Sequence, residues 1–267
     1  MRMYLPVQAP VLQRDRQDVN YQYQEYAPSP HLEAYVACYW MINFDAAEGE
    51  KLHRILPDGC VDIIFELGDA TGGAFVAGLM TSYVAMNLAQ SCSTFGIRFF
   101  SDTARRFLKY PVSEMLGNGV RLEDIWGSDA VLMNDEIRSV NGISEIIAIT
   151  EKYLLKHLLQ NKTESDVLLQ KSMKVMYASQ GALSMRALAD HLTYNERTIR
   201  RVFQRELGIS PKELSGIIRF QYLLQELNKG ELSRYTDLAV KHGFYDQPHF
   251  VHQFKRFYGL PPTQVFK

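Results

Sequence analysis

Residues 187–211 read ALADHLTYNERTIRRVFQRELGISP, and residues 237–262 read DLAVKHGFYDQPHFVHQFKRFYGLPP. The two stretches share one plan: a short helix that begins near Leu-Ala, a turn, a basic amphipathic helix and a Gly-x-x-Pro stop. This plan is the outline of a helix-turn-helix, whose second helix enters the major groove of DNA. The repeat therefore predicts two such motifs in an all-α carboxyl-terminal domain.

The segment between the two copies predicts a rigid spacer. Ser210 has the position and residue type of a helix cap, and Pro211 occupies the first helical position, where a missing N–H costs nothing. A helix should run from there to about Lys229, because Gly230 favours a helix end. Its length of about 27 Å is close to the spacing of about 34 Å between successive major grooves on one face of DNA. A single chain would then place both recognition helices in neighbouring grooves.

About the last hundred residues resemble the AraC/XylS family of bacterial transcription regulators. The resemblance implies sequence-specific binding of double-stranded promoter DNA, a cytoplasmic location in bacteria and RNA polymerase as a partner. It rests on a dozen positions at fixed spacing: Leu188-Ala189, Phe203, Gly208-Ile209-Ser210-Pro211, Arg219, Leu238-Ala239, Gly243-Phe244, Phe250, Phe254-Lys255 and Gly259-Leu260-Pro261-Pro262.

The first recognition helix offers the stronger candidates for reading bases. Helical periodicity buries Ile199, Val202 and Phe203 and leaves an opposite, polar face. Arginine suits guanine because its planar fork can donate to both O6 and N7. The alternative is phosphate binding, which positions a protein without reading sequence. The candidate residues are Arg197, Arg200, Arg201 and Gln204, and the family's base-contacting positions correspond to the three arginines.

The second recognition helix favours weaker readout. Three phenylalanines form its buried face, and Pro248 and His252 stand where relatives often carry polar or arginine residues. This helix could therefore act mainly as a clamp on the DNA backbone. The predicted DNA-contacting residues are Gln247, His249, His252, Gln253 and Arg256.

The composition fits two domains of a globular protein. The chain has 267 residues, of which 46% are hydrophobic and 22% charged. Net charge divides unevenly: residues 161–267 hold 16 Lys+Arg and 10 Asp+Glu, and residues 1–160 hold 13 and 20. A basic carboxyl-terminal half suits a polyanionic partner. Three scattered cysteines suit a reducing cytoplasm, and no apolar run is long enough to span a membrane.

Residues 1–160 predict an α+β domain, a small β-barrel or sandwich with helices at its carboxyl-terminal end. Short strand candidates are separated by Gly, Asp and Pro between Lys51 and Phe100, and helical patterns follow from Ser101. The tyrosine-rich segment 21–26 lies among prolines and is interpreted as an extended arm rather than a core strand. Part of this half resembles the sensor domain of an uncharacterised branch of AraC-type regulators: Leu56-Pro57-Asp58-Gly59-Cys60-Val61-Asp62-Ile63-Ile64-Phe65, Phe95-Gly96-Ile97-Arg98-Phe99 and Leu122-Glu123-Asp124-Ile125-Trp126-Gly127.

A sensor domain needs a concave, mostly apolar pocket with a few polar anchors. Trp40 is a candidate wall, and His53, Arg54 and Arg98 are candidate anchors because each lies in or beside a predicted strand. If Arg98 faces a cavity, the effector should carry an anionic or carbonyl group, since arginine presents only donors. The alternative is a structural pair of Arg98 with Asp62 or Glu66.

Other functions have weaker support. The Cys and His residues of the first half allow a zinc or redox site, but cysteines in apolar strands are more often core residues. No nucleotide or hydrolase fingerprint is present, so we expect neither an enzyme, a metal site nor a cofactor. Two alternatives stay open. One is an architectural DNA binder whose first half only dimerises, and the other is an enzyme domain fused to a DNA-binding domain. The apolar stripe of residues 143–159 predicts a homodimer, unless it simply covers the β-core.

Overall fold

The computed structural model describes residues 4–12, 20–68, 72–115, 117, 119–229, 241–244 and 246–265. Its amino-terminal half holds eight strands: β1 Tyr21–Tyr26, β2 Val36–Phe44, β3 Lys51–Ile55, β4 Cys60–Glu66, β5 Ala74–Ala77, β6 Val84–Leu88, β7 Cys92–Phe100 and β8 Val120–Arg121. Six of them form one antiparallel sheet in the order β1-β2-β7-β4-β5-β8, and β3 pairs with β6 as a separate ribbon. The α+β class is confirmed, although the described strands form an open sheet and not a closed barrel.

The tyrosine-rich segment is a strand, contrary to the interpretation as an arm. Tyr21 to Tyr26 pair along their whole length with β2. Tyr21 and Tyr23 are partly buried while Gln22 and Gln24 are exposed, which is the two-residue period of a half-buried strand. The prolines lie outside this segment, so they leave the hydrogen-bonding ladder at the sheet edge intact.

The sheet has two differently covered faces. Val61, Ile63 and Phe65 alternate onto the face that packs against the helices, within the main apolar core. The opposite face carries Trp40 and Ile64 in a small separate cluster. Gly96 lies beneath Trp40, and a Cβ at that position would collide with the indole ring. Glycine is therefore needed for Trp40 to lie close against the sheet.

Helices complete both halves. The first half contains α1 Ala9–Leu12, α2 Arg105–Leu108, α3 Leu122–Trp126, α4 Ser128–Arg138 and α5 Ile143–Gln160, with short 3-10 turns at Ala46–Glu48 and Val112–Met115. The second half contains α6 Val167–Ala178, α7 Met185–Leu192, α8 Glu196–Leu207, α9 Pro211–Asn228, α10 Gln247–Tyr258 and α11 Pro262–Val265. The predicted first helix of the second motif falls mostly on residues 230–240, which lie outside the described residues.

The apolar stripe of α5 packs inside the chain. Ile146, Tyr153 and Leu154 are buried in the main core, and the Tyr153 hydroxyl donates to Glu136 of α4. This arrangement favours the alternative in which the stripe covers the β-domain. A dimer through α5 would therefore have to use the other side of the helix.

The two recognition helices belong to different cores. The main core continues from the sheet through α5 and α6 to Ile199, Val202 and Phe203 of α8. A second core joins α9 and α10 to Leu56, which lies between β3 and β4. Each DNA-binding motif thus packs on a different part of the first domain.

Candidate DNA interface and ligand cavity

The first helix-turn-helix is formed by α7 and α8, and local signals fix its ends. Ser184 accepts a hydrogen bond from the Ala187 N–H at 3.1 Å, which caps α7. Asn195 accepts from the Thr198 N–H at 2.8 Å and caps α8. Gly208 ends α8 with a positive φ of 72°, a conformation that glycine adopts without strain. These caps set the register that turns one face of α8 outward.

The outward face of α8 is cationic. Arg197, Arg200, Arg201 and Gln204 are all exposed, as the periodicity predicted. Arg200 pairs with Glu196 one turn earlier at 2.6 Å, an exposed ion pair of the kind worth about 0.3–0.5 kcal/mol. No described residue forms an ion pair with Arg197 or Arg201. Their guanidinium groups are therefore available to an external acceptor.

The spacer helix α9 joins the two motifs as predicted. Ser210 caps it, and Pro211 stands in its first turn. Arg219 donates to the Gly181 carbonyl at 2.8 Å and to the Gly243 carbonyl at 3.1 Å. This side chain therefore ties the turn after α6 to the second motif.

The polar face of α10 is less cationic than that of α8. Gln247, His249 and His252 are exposed, and Gln253 is partly buried. Arg256 pairs with Glu213 of α9 at 2.6 Å. Phe250, Phe254 and Phe257 are buried, as the spacing predicted. The helix offers hydrogen-bonding groups and one arginine that already has a partner.

A cavity lies on the sheet face that carries Trp40. The cavity volume is about 90 Å³, and one side of the cavity opens to solvent. Its apolar walls include Trp40, Ile42, Ile55, Ile64 and Met80. Its polar lining is provided by Gln8, Tyr23, His53, Asp58, Asp62 and Arg98.

Arg98 is held by carboxylates. Its guanidinium lies 3.2 Å from Asp62, 3.1 Å from Asp58 and 3.4 Å from Glu25. The structural pair with Asp62 is therefore present, whereas Glu66 is not a partner. Asp58 and Asp62 also line the cavity, although the sequence analysis did not select them as effector contacts. Asp58 lies in the turn before β4 and Asp62 lies on β4, so their four-residue spacing at the start of a strand was the available signal.

Burial changes the protonation of two cavity side chains. Desolvation, with Arg98 as a smaller cause, lowers the pKa of His53 to about 4, so the imidazole is neutral at pH 7. Burial raises the pKa of Asp62 to about 6, although Arg98 acts in the opposite direction. Asp58 adds to this rise. The cavity therefore disfavours additional negative charge.

Arg54 lies outside the cavity, although it was predicted as an anchor together with His53. Successive side chains of a strand point to opposite faces, so His53 and Ile55 line the cavity and Arg54 points away. Arg54 donates to the Tyr258 carbonyl at the end of α10 at 2.7 Å. Its guanidinium also lies over the rings of Tyr83 and Tyr258, 5.3 and 5.6 Å from their centroids. Strand β3 therefore touches the cavity on one side and α10 on the other.

The turn after β3 makes a second connection. The buried Gln8 donates to the Leu56 carbonyl and to Asp58, at 3.1 and 2.9 Å. From the other side, Gln221 of α9 donates to the Pro57 carbonyl at 2.8 Å. One segment is thus bonded both to a cavity side chain and to the spacer helix.

The cysteines and the possible metal ligands are the remaining groups with reactive chemistry. Burial raises the pKa of the Cys38 and Cys60 thiols, so both are protonated at neutral pH. Among the residues that the structure describes, no group of three or more His, Cys, Asp or Glu is placed to hold a metal ion. No helix in this part of the chain is long and apolar enough to cross a membrane.

Comparison with protein families identifies both halves. Residues 188–267 match the model of a helix-turn-helix domain. Residues 24–121 match a domain of unknown function, DUF6597. The predicted carboxyl-terminal helix-turn-helix domain is confirmed, and the first half has no activity attached to its family description.

The chain is also similar to individual proteins of known sequence or structure. An uncharacterised HTH-type transcriptional regulator of Haemophilus influenzae is 26% identical over 140 residues, which cover 48% of this chain and 45% of the relative. The chain thus spans about half the length of that protein. Among solved structures, ToxT from Vibrio cholerae is 14% identical with a TM-score of 0.45, covering 92% of this chain and 98% of ToxT. A ToxT structure with bound unsaturated fatty acid is 14% identical, with a TM-score of 0.40, covering 92% and 94%.

Proposed function

We propose that this chain, which carries the double helix-turn-helix of AraC/XylS-type regulators, binds promoter DNA sequence-specifically and responds to a small molecule in its first domain. The observation that carries the DNA-binding part is the outward face of α8, where Arg197 and Arg201 have no ion-pair partner among the described residues. Arginines in a recognition helix are the side chains best suited to guanine edges in the major groove.

The two motifs would contribute differently to DNA binding. Readout would come mainly from Arg197, Arg200, Arg201 and Gln204 on α8. On α10, Gln247, His249, His252, Gln253 and Arg256 would add weaker base contacts and hold the DNA backbone. The spacer α9 has 18 residues, or about 27 Å, which would place the two helices in neighbouring grooves.

The effector part of the proposal rests on the cavity and its connections. A ligand that contacts His53 would shift β3, and Arg54 of this strand donates a hydrogen bond to the end of α10. A ligand against Asp58 would act on the turn that Gln221 of α9 holds. Differential ligand affinity for two arrangements of these contacts would change DNA affinity. Action in the bacterial cytoplasm, contact with RNA polymerase and self-association remain predictions.

Selection from a random duplex pool tests the function directly. The full chain should enrich one sequence, and the affinity for it should fall steeply as salt rises, because bound phosphates release counterions. A specific site of this kind binds roughly 10³-fold or more tightly than non-specific DNA. The proposal would be contradicted if no sequence is enriched, or if the affinity does not change with salt concentration.

A further inference from the structure

The charge balance of the cavity on the Trp40 face determines which ligands it can hold. Every nitrogen of the Arg98 guanidinium already has an acceptor: Asp62 takes two donors, and Tyr23 and Glu25 share a third. Asp58 lies within 3.1 Å of the same group. An anionic ligand would therefore compete with these carboxylates for Arg98. This geometry revises the expectation of an anionic or carbonyl-bearing effector.

Three carboxylates surround this one guanidinium, so the network holds an excess of two negative charges. Arg98 is 3% exposed, and the Asp58 and Asp62 side chains are 8% and 16% exposed. Unbalanced charge at such burial is costly in the absence of a counter-charge. His53 supplies none, because its imidazole is neutral at pH 7. Among the described residues, Arg98 is thus the one cationic side chain of the lining, against the carboxylates of Asp58 and Asp62.

A second observation indicates an open hydrogen-bonding position. His53 is 8% exposed and lines the cavity, and its Nδ1 is 2.7 Å from the Tyr21 hydroxyl. Its Nε2 has no hydrogen-bond partner within the described residues. In the tautomer whose Nδ1 donates to Tyr21, Nε2 accepts and can take a hydrogen bond from a ligand N–H; in the other tautomer, Nε2 donates.

The walls complete the site. Trp40 and Tyr23 line the cavity with their rings stacked at a centroid distance of 6.5 Å. Aromatic faces attract cations through the ring quadrupole. Ile42, Ile55 and Ile64 offer apolar surface beside them.

We infer that the cavity binds a small organic cation, an ammonium group on a compact apolar or aromatic body. The ammonium lies between Asp58, Asp62 and His53 Nε2, and the body lies against Trp40 and the isoleucines. This inference rests on the proposed effector response and names its ligand class.

Three matched probes separate charge from shape: phenethylamine, phenethyl alcohol and hydrocinnamate are cationic, neutral and anionic at neutral pH. Binding to the full chain is measured calorimetrically, without DNA, up to millimolar concentrations. The amine should bind at least about tenfold more tightly than the carboxylate, with the alcohol between them. Equal or tighter binding of hydrocinnamate, or no detectable binding of the amine, overturns the inference.

Variants locate the site. Ala77 pairs with Asp62 across the sheet and lines the cavity, so Ala77→Leu should fill the cavity without changing its charge and weaken amine binding about tenfold. Asp62→Asn should reduce the preference for the amine over hydrocinnamate. Glu66→Gln removes a charge from the exposed end of the same strand and is the matched control. If Ala77→Leu leaves amine binding unchanged, or if Glu66→Gln acts like Asp62→Asn, the inference fails.

The outcome is distinguishable from failure of the proposed function. DNA selectivity of the ligand-free chain is measured separately on the selected duplex. If the chain prefers hydrocinnamate and its DNA selectivity is intact, only the inferred ligand class is wrong and the proposed function stands. Loss of DNA selectivity in the unmodified chain would remove the proposed function, whichever probe binds.

Discussion

The two recognition helices differ in what they present and in what holds them. α8 presents exposed arginines, and its inner face belongs to the main core that extends from the sheet. Arg105 of α2 also pairs with Glu206 of α8 at 2.8 Å. α10 presents glutamines and histidines, its Arg256 is paired, and its core includes Leu56 beside the cavity. Arg54, on the strand that lines the cavity, donates a hydrogen bond to the last turn of α10.

This difference indicates a division of labour within one duplicated motif. The helix fixed to the large core carries the side chains best suited to reading guanine. We propose that the helix fixed to the cavity wall reads bases more weakly and is the one whose position a ligand would alter. Specificity and regulation would then be changed by different mutations.

The largest expected effect is on readout by α8. Arg201→Ala should weaken binding to the selected duplex by about 1–3 kcal/mol, the value of one bidentate contact to guanine. Arg200→Ala should act similarly, since its exposed pair with Glu196 is weak. Binding to a scrambled duplex, measured by fluorescence anisotropy, should change much less.

A matched control for these variants is Lys171→Ala, at an exposed position on α6. This variant should leave the ratio of the two affinities unchanged. Equal losses on selected and scrambled duplexes for Arg201→Ala would mean that this arginine contacts only phosphate.

An intermediate effect is expected for the connection between cavity and α10. Filling the cavity with Ala77→Leu should shift DNA affinity, and the shift should vanish when Arg54→Ala removes the bond to Tyr258. A double-mutant cycle measures this coupling, for which about 0.5–2 kcal/mol is expected. Arg121→Ala, an exposed arginine of the same domain, is the control. Additive effects of the two mutations would show that Arg54 does not couple the cavity to DNA binding.

The polar face of α8 was predictable because helical periodicity is local. Ile199, Val202 and Phe203 identify the buried face, and the arginines must then lie opposite. The cap at Ser210 and the position of Pro211 in the first turn of α9 were predictable for the same reason. Residues a few positions apart decide these features, whatever the rest of the chain does.

The cavity was only partly predictable because its partners are distant in sequence. Arg98 of β7 meets Glu25 of β1 and Asp58 of the turn before β4 only through the register of the sheet, which no local pattern specifies. Gln8 and Gln221 give no signal, since glutamine is common on surfaces. Strand alternation could have excluded Arg54, because it cannot face the cavity together with its neighbour His53.

The smallest expected effect is on backbone contacts by α10. Arg256→Ala should weaken binding to the selected and scrambled duplexes equally. It should also reduce the salt dependence of binding by the amount expected for the loss of about one phosphate contact. The reason is that Arg256 lies beside the helix end and already shares its charge with Glu213. A salt titration of both duplexes measures this. A loss confined to the selected duplex would instead make Arg256 a base reader.

The division of labour is tested most directly by a scan of single base-pair substitutions across the selected duplex, with the unmodified chain, Arg201→Ala and His252→Ala. We predict two groups of sensitive positions about one helical turn apart, one with penalties of about 1–3 kcal/mol per base pair and one with smaller penalties. Arg201→Ala should abolish penalties in the stronger group, and His252→Ala should affect only the weaker group. If the stronger group survives Arg201→Ala and disappears with His252→Ala, α10 is the reader and the account is wrong.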